Sequence, residues 1–368
     1  MHVTHVITAL DVGGAQVVLA HLVAGLHRRG VTSDVVVLGP EGPLHGRVVA
    51  AGAEVVALDR RPAGILGAVR ALRTHLDVRQ PDVLHAWLYH AEVVAALARP
   101  KVPTVFGVHH SDVVPDHWPR ATRVAARAAN RLSRRADAVV YPGEVSRGVH
   151  EDLGRPAAIG HVIPNGIPRP VPRDGARNRL RERLGVAPDT PVVGRVGRAH
   201  PQKDLPTFVA AVAVARHRHP RLRAVVAGPG IREDLELTRA IAAADLGPVV
   251  HRWDVQDDVD DLHAGLDLAV SSSSAGEALP TVLIEALAVG VPVAATDVGD
   301  TARIVGDAGR VVAPGQPEAL GEAIADLLDL APDERDALGR HGRERVLADH
   351  GLDAMVAAWE GLYASVMS

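Results

Sequence analysis

Short runs of Val, Ala and Leu recur along the chain, and between them apolar residues fall at helical spacing. "HVTHVITAL", "SDVVVLG", "AEVVALD", "PDVLHAW", "PTVFGVHH", "ADAVVY" and "GHVIPNG" have the continuous apolar character of strands buried in a parallel sheet. The stretches that separate them suit crossover helices, such as the one expected over Ala15 to Arg29. After Asn165 the alternation stops. "GIPRPVPRDGARNRLRERLGVAPDTP" is rich in Pro, Arg and Gly and reads as a linker with one short helix. The pattern restarts with "VVGRVGR", "RAVVAGPG", "PVVHRWD", "LDLAVSSS", "PVAATDVG" and "AGRVVAPG", whereas the helices from about Pro317 to Ser368 have no strand between them. An α/β fold of two Rossmann-like βαβ domains in tandem is predicted. The first covers 1–168, a linker 169–190 and the second 191–345, with a C-terminal helix over 346–368 expected to pack back toward the first. Open parallel sheets bind ligands at the carboxyl ends of their strands, so the residues that follow strands are the candidates for chemistry.

Composition narrows that chemistry. The 368 residues exceed the size at which one core stops growing, which agrees with two domains. With 47% hydrophobic but 2% aromatic residues, the cores must be built from Ala, Val and Leu. Zero cysteines exclude a disulfide framework, a thiolate nucleophile and any cysteine-ligated metal. The opening "MHVTHVITALDVGG" lacks a basic n-region and a long apolar core, and no apolar run approaches a spanning helix, so a cytoplasmic location is expected. The net charge of −4 divides unevenly, +5 over Met1 to Pro172 and −9 over Arg173 to Ser368.

The most informative stretch is "SSSSAGEALPTVLIEALAVGVPV", in which Glu277 precedes and Glu285 follows Pro280. "LDLAV" is the strand and "SSSSAGEAL" the loop, and "PTVLIEALAVG" is a helix opened by Pro280 and closed at Gly290. Glu277 is thus placed in the loop and Glu285 more than one turn into an otherwise apolar helix. Two carboxylates spaced along a line suit an extended ligand: each can accept from paired sugar hydroxyls, and the free amides at the helix start suit a phosphate.

These residues resemble the E-x7-E signature of retaining GT-B glycosyltransferases of the large nucleotide-sugar-dependent group, family 4. The usual form is E-G-[FL]-P-x-x-x-x-E, and the chain reads "EALPTVLIE", with Ala278 in place of Gly. The resemblance implies that Glu285 holds the ribose hydroxyls and Glu277 the donor sugar, with the amides of Ala278, Leu279 and Pro280's neighbourhood facing the sugar and distal phosphate. "VGRAHPQKDL" supplies Arg198 and Lys203 at the spacing of the family's R-x4-K pair, cations that would stabilise charge on a departing diphosphate. Gly228 and Gly230 of "GPG" match the nucleotide side. Gly13 and Gly14 of "DVGGAQ" match a glycine pair bordering the acceptor, and "PNGI" is a structural match near the domain junction. His109 of "GVHHSD" falls where relatives place a histidine beside the donor sugar, with His110 as its neighbour or replacement.

The activity so implied is transfer of a hexosyl or N-acetylhexosaminyl group from a nucleotide diphosphate sugar, expected to be a UDP-sugar, to an acceptor hydroxyl with retention. Asp254 stands where relatives carry glycine in the loop that reads the base, and "DDVDD" at Asp257 to Asp261 reads as a solvated helix start. No D-x-D motif occupies a nucleotide-proximal position, so no metal and no cofactor are expected. No nucleic-acid partner is expected either. Alternatives within this fold are a nucleotide-sugar epimerase or hydrolase, or a catalytically silent sugar-nucleotide-binding subunit. The acceptor is a small molecule or glycan. Arg120, Arg123, Arg127, Arg131 and Arg134 form one helical stripe that would permit a weak peripheral membrane contact, although its opposite face is mostly alanine.

Overall fold

In a computed structural model, residues 1–11, 13–58, 64–109 and 120–368 are described. They form two units, one of Met1–Pro168 with His350–Ser368 and the other of Arg169–Asp349.

In the first unit the strands are β1 (His2–Ile7), β2 (Thr32–Val37), β3 (Glu54–Ala57), β4 (Val83–Trp87), β5 (Thr104–Gly107), β6 (Ala138–Tyr141) and β7 (Gly160–Val162). They are parallel, in the order β3-β2-β1-β4-β5-β6-β7. The order reverses between β1 and β4, where Ile7 pairs with Trp87, so the crossover loops diverge there and leave strand ends accessible. The helix Leu352–Met367 completes this unit's core with Met355, Val356, Trp359, Leu362 and Tyr363. It packs on the helix Gly14–Arg28 so closely that a Cβ on Gly25 would stand 2.2 Å from a Val356 methyl. Backbone bonds from Ile167 to the His350 carbonyl and from Leu352 to the Ile167 carbonyl, both 2.9 Å, fix where that helix begins.

The second unit holds β8 (Val192–Val196), β9 (Arg223–Ala227), β10 (Val250–Trp253), β11 (Leu268–Ser271), β12 (Val293–Thr296) and β13 (Gly309–Val312). They are again parallel, in the order β10-β9-β8-β11-β12-β13, with the reversal between β8 and β11. Val193, Phe208, Leu237, Leu268, Leu320 and Ile324 are among the residues of its core.

The segment 169–190 does more than link. Its helix Ala176–Leu184 belongs to the second unit, because buried Arg181 pairs with buried Asp267 at 2.6 Å and donates to the Gly265 carbonyl at 2.7 Å. At the other end, the boundary expected after residue 345 falls inside the helix Pro332–Asp349. Val346 is buried there, and Arg345 donates to the Val305 carbonyl at 2.5 Å, which keeps this helix with the second unit through Asp349.

Candidate active site

The second unit brings the loops after β8 and β11 together, because those strands are neighbours at the switch point. Hydroxyls join the loops. Ser272 Oγ donates to the carbonyls of Lys203 and Asp204, each at 2.9 Å, and the Ser274 amide donates to the Gln202 carbonyl at 2.9 Å. Lys203 closes a short turn, Pro201–Lys203, and Asp204 follows at φ 44°, a left-handed conformation rare outside glycine. Its carboxylate offsets part of that strain by capping the helix Leu205–Arg218, accepting from the Thr207 amide at 3.2 Å and the Thr207 hydroxyl at 2.7 Å.

Lys203 Nζ forms an ion pair with Glu277 Oε1, and the same oxygen accepts from Ser273 Oγ at 2.8 Å. Burial alone would push the Glu277 carboxyl up, but Lys203, the Ser273 hydroxyl and Arg195 outweigh it and hold the group below its ordinary value. Glu277 is therefore a carboxylate at neutral pH, and its second oxygen has no hydrogen bond among the described residues. Arg198 is exposed and makes no ion pair or hydrogen bond among them, so its five N–H donors are open to a ligand.

Pro280 stands at the N-cap of the helix Thr281–Ala288, with Ala278 and Leu279 buried before it. No side chain caps that end among the described residues; the Leu283 amide donates to the Pro280 carbonyl at 3.0 Å, and the amides of Thr281 and Val282 have no partner among those residues. Glu285 is 34% exposed on the same helix, with His263 Nε2 4.0 Å away. Burial, aided by Asp260, pushes the Glu285 carboxyl up to about 7, so its charge is poised near neutrality. Gly228 and Gly230 lie in the loop after β9. Gly228 has φ 144°, and a Cβ there would stand 2.3 Å from the Gly197 carbonyl oxygen, so the loops after β8 and β9 meet only because this residue is glycine.

The acidic run behaves mainly as a helix start. Asp258 caps the helix Val259–Gly265 by accepting from the Asp261 amide at 2.9 Å, and Asp261 pairs with Arg173 and Arg179. Asp260 is the exception, being half-buried and turned to act on Glu285. Asp254 is exposed and pairs with Arg232 at 3.2 Å.

In the first unit, Gly13 is the extended N-cap of the helix Gly14–Arg28, which has no side-chain cap. Among the described residues, nothing beyond its own helix backbone and chain neighbours lies within 4 Å of where a Gly14 Cβ would stand. At Gly13 the Gln16 side chain comes close, its Oε1 standing 2.6 Å from where a Cβ would be. His109 follows β5, its ring stacked parallel on Trp87 at 4.8 Å and 4°. Trp87 is itself fixed by donating to His5 Nδ1 at 3.2 Å and stacks on His85 at 4.4 Å, while His85 Nδ1 meets the Tyr363 hydroxyl at 2.7 Å. His110 lies outside the described residues. Of the arginine stripe, Arg120, Arg123, Arg127 and Arg131 lie on the helix Arg120–Leu132, whose Ala126 and Ala129 pack with Tyr89 and Val93, whereas Arg134 falls in the short turn Ser133–Arg135 that follows it. No helix among the described residues is long and apolar enough to cross a membrane.

The structure thus carries Arg198, Lys203, Glu277, Ala278, Leu279, Pro280, Gly228 and Gly230 on loops of one unit, and Glu285 on that unit's helix Thr281–Ala288. It adds Arg195, Ser273, Asp260 and His263, which motif reading passes over. The one visible signal for these was the arginine in "VVGRVGR", a charge inside a strand pattern that calls for methyl groups.

Comparison with known proteins accords with this geometry. Residues 12–169 match the family model for glycosyltransferase family 4, and residues 176–345 match that for glycosyl transferases group 1. The chain is 31% identical over 310 residues to D-inositol 3-phosphate glycosyltransferase 2 of Catenulispora acidiphila, covering 77% of this chain and 70% of that protein. An exopolysaccharide phosphotransferase of Streptomyces coelicolor is 29% identical over 258 residues, which is 62% of this chain but only 23% of that longer one. HepE of Anabaena, solved in complex with UDP, superposes with a TM-score of 0.87 at 22% identity over 99% of this chain and 100% of that one, a likeness of fold. With both halves matched in order and one relative above 30% identity along most of its length, the chain belongs to the group 1 glycosyltransferases of GT-B fold.

Proposed function

We propose that the protein transfers a hexosyl or N-acetylhexosaminyl group from a UDP-sugar to an acceptor hydroxyl, with retention at the anomeric carbon and without a metal. The observation that carries this reading is the Lys203–Glu277 pair set beside exposed Arg198, with the uncapped helix start and Glu285 beyond it. Glu285 accepts from the ribose hydroxyls, and Glu277 accepts from a hydroxyl of the donor sugar. Arg198 and Lys203 meet the diphosphate together with the first amides of the helix Thr281–Ala288.

In the step itself, the bond from the anomeric carbon to the phosphate oxygen breaks and the bond to the acceptor oxygen forms on the same face. The acceptor proton passes to the departing phosphate oxygen, so no side chain acts as nucleophile. Negative charge grows on the diphosphate, and Arg198, Lys203 and the helix amides act on that growing charge. Metal independence draws support from the acidic run, whose Asp258 and Asp261 are engaged in capping and ion pairs. UDP as the nucleotide draws support from the HepE complex. Gly13, Gly14 and His109 are assigned to acceptor and donor sugar in the first unit. A soluble cyclitol phosphate is the first acceptor to test, in line with the inositol phosphate relative.

The test is donor consumption by the purified protein across UDP- and GDP-sugars, with and without acceptor. Acceptor-stimulated release of UDP, and a product whose anomeric coupling matches the donor's, support the reading. Hydrolysis unaffected by any acceptor would replace it with a hydrolase.

A further inference from the structure

β8 carries a charge where its pattern calls for a methyl group. Arg195 is 3% exposed and shares the face of Val193, which packs in the core with Phe208. Its guanidinium makes one hydrogen bond, from Nη2 to the Lys203 carbonyl at 3.2 Å. Nε and Nη1 have no acceptor, and no carboxylate lies within ion-pair distance of it among the described residues. A buried cation left this way is costly unless nearby anions compensate it. Burial drops the group to about 10, and the two charges that oppose the drop are Glu277 and Asp204, on the two loops that Ser272 ties together.

We propose that Arg195 is a positioning residue of the donor site, holding the Lys203–Asp204 turn from below and supplying a fixed positive charge beneath Glu277. The inference rests on the reading that Glu277 accepts from the donor sugar. Lys203 reaches Glu277 with a long, unbranched side chain, and in this reading a bound diphosphate competes for it. When Lys203 moves to phosphate, Glu277 loses its ion pair inside a low-dielectric pocket and would tend to take up a proton. Arg195 cannot follow the phosphate, because it is buried and its backbone is held in β8 by pairing with Val226 of β9, next to Val193 and Gly194, which pair with β11. It therefore keeps Glu277 an acceptor at the stage when the sugar hydroxyl needs one. The charged groups that act on Glu277 are Lys203, from the loop after β8, and Arg195, from β8 itself.

The test is a carboxyl titration by carbon NMR in the full chain labelled at glutamate, with the Glu277 signal assigned from Glu277→Gln. The titration is run free and with saturating UDP. Arg195→Met is expected to raise the Glu277 midpoint by about one pH unit or more, a tenfold change in proton affinity, with the larger rise in the UDP-bound protein. Arg195→Lys should restore part of the difference. An unchanged midpoint in Arg195→Met with UDP bound overturns the proposal. Should Arg195→Met fail to fold, Lys203→Met replaces it, a substitution at a partly exposed position that leaves Arg195 as the remaining cation. Its Glu277 midpoint is expected to stay at or below the ordinary glutamate value, and a midpoint pushed well above that value overturns the proposal. If UDP does not bind at all, the donor reading fails, while the titrations of the free protein still judge Arg195.

Discussion

Glu285→Gln is expected to stabilise the free protein at alkaline pH and to weaken its grip on UDP. The Glu285 carboxyl rises from 4.5 to about 7 through burial and the proximity of Asp260. Because the folded state holds this proton more tightly than the unfolded chain, stability is fully present below about 4.5 and is lost as pH rises through about 7. The whole rise corresponds to about 3 kcal/mol, and with a third of the side chain in solvent it is discounted to about 1–2 kcal/mol. For a unit of this size that is roughly 3–6 °C in Tm. Glutamine removes the charge and keeps the shape, so thermal melts at pH 8 should place Glu285→Gln above the unsubstituted protein, with the two converging at pH 4.5. The opposite sign is expected for the ligand. Only the carboxylate accepts from both ribose hydroxyls, so calorimetry should show UDP affinity roughly tenfold weaker at pH 6 than at pH 8 from this group alone. Glu285→Gln should remove that part of the pH dependence, leaving the contribution of the nucleotide's own phosphate. Loss of a charged acceptor should weaken binding at pH 8 by about 1.5–3 kcal/mol. Melts at pH 8 that coincide would refute the raised Glu285 carboxyl, and UDP affinity unchanged by the substitution would refute the assignment of Glu285 to the ribose.

Lys203→Ala should lower kcat more than it raises KM for the donor, since its charge acts mainly on the departing diphosphate; unchanged kcat with a raised KM would make it a ground-state contact. Trp359→Ala should destabilise the first unit by about 3–5 kcal/mol, because it empties the centre of the C-terminal helix's contact with the core, and denaturant unfolding followed by tryptophan fluorescence reads the loss. Acid should act on the same unit: burial lowers His5 to about 4 and His85 further below its ordinary value, so the stability they contribute is present above about 6.5 and lost as pH falls through about 4. Amide exchange over the helix Leu352–Met367 should quicken across that window, and uniform exchange would count against it.

The sequence by itself determined the elements and their chemistry. Each Val- and Ala-rich run becomes a strand because continuous apolar character and strand length are local properties, readable without knowing what packs on them. The helix opened by Pro280 and the spacing of Glu277 and Glu285 are likewise local, as are Arg198 and Lys203 on one loop. Tertiary structure decided what these groups meet. Lys203 and Glu277 are 74 residues apart and become partners only because β11 lies beside β8 at the reversal of strand order, a choice made by sheet packing rather than by either segment. The same adjacency turns Arg195 from an anomaly in a strand pattern into a partner of the Lys203 turn, while packing of the helix Val259–Gly265 on the helix Thr281–Ala288 brings Asp260 within electrostatic reach of Glu285. Domain limits were also out of local reach. The Pro- and Arg-rich segment is tied to the second unit by Arg181 and Asp267, 86 residues apart, and the last helix joins the first unit because its apolar face fills that core. Pattern fixes which face of an element must be buried, and only the folded chain fixes against what, because the energy of burial is non-directional while ion pairs and hydrogen bonds need a partner in place.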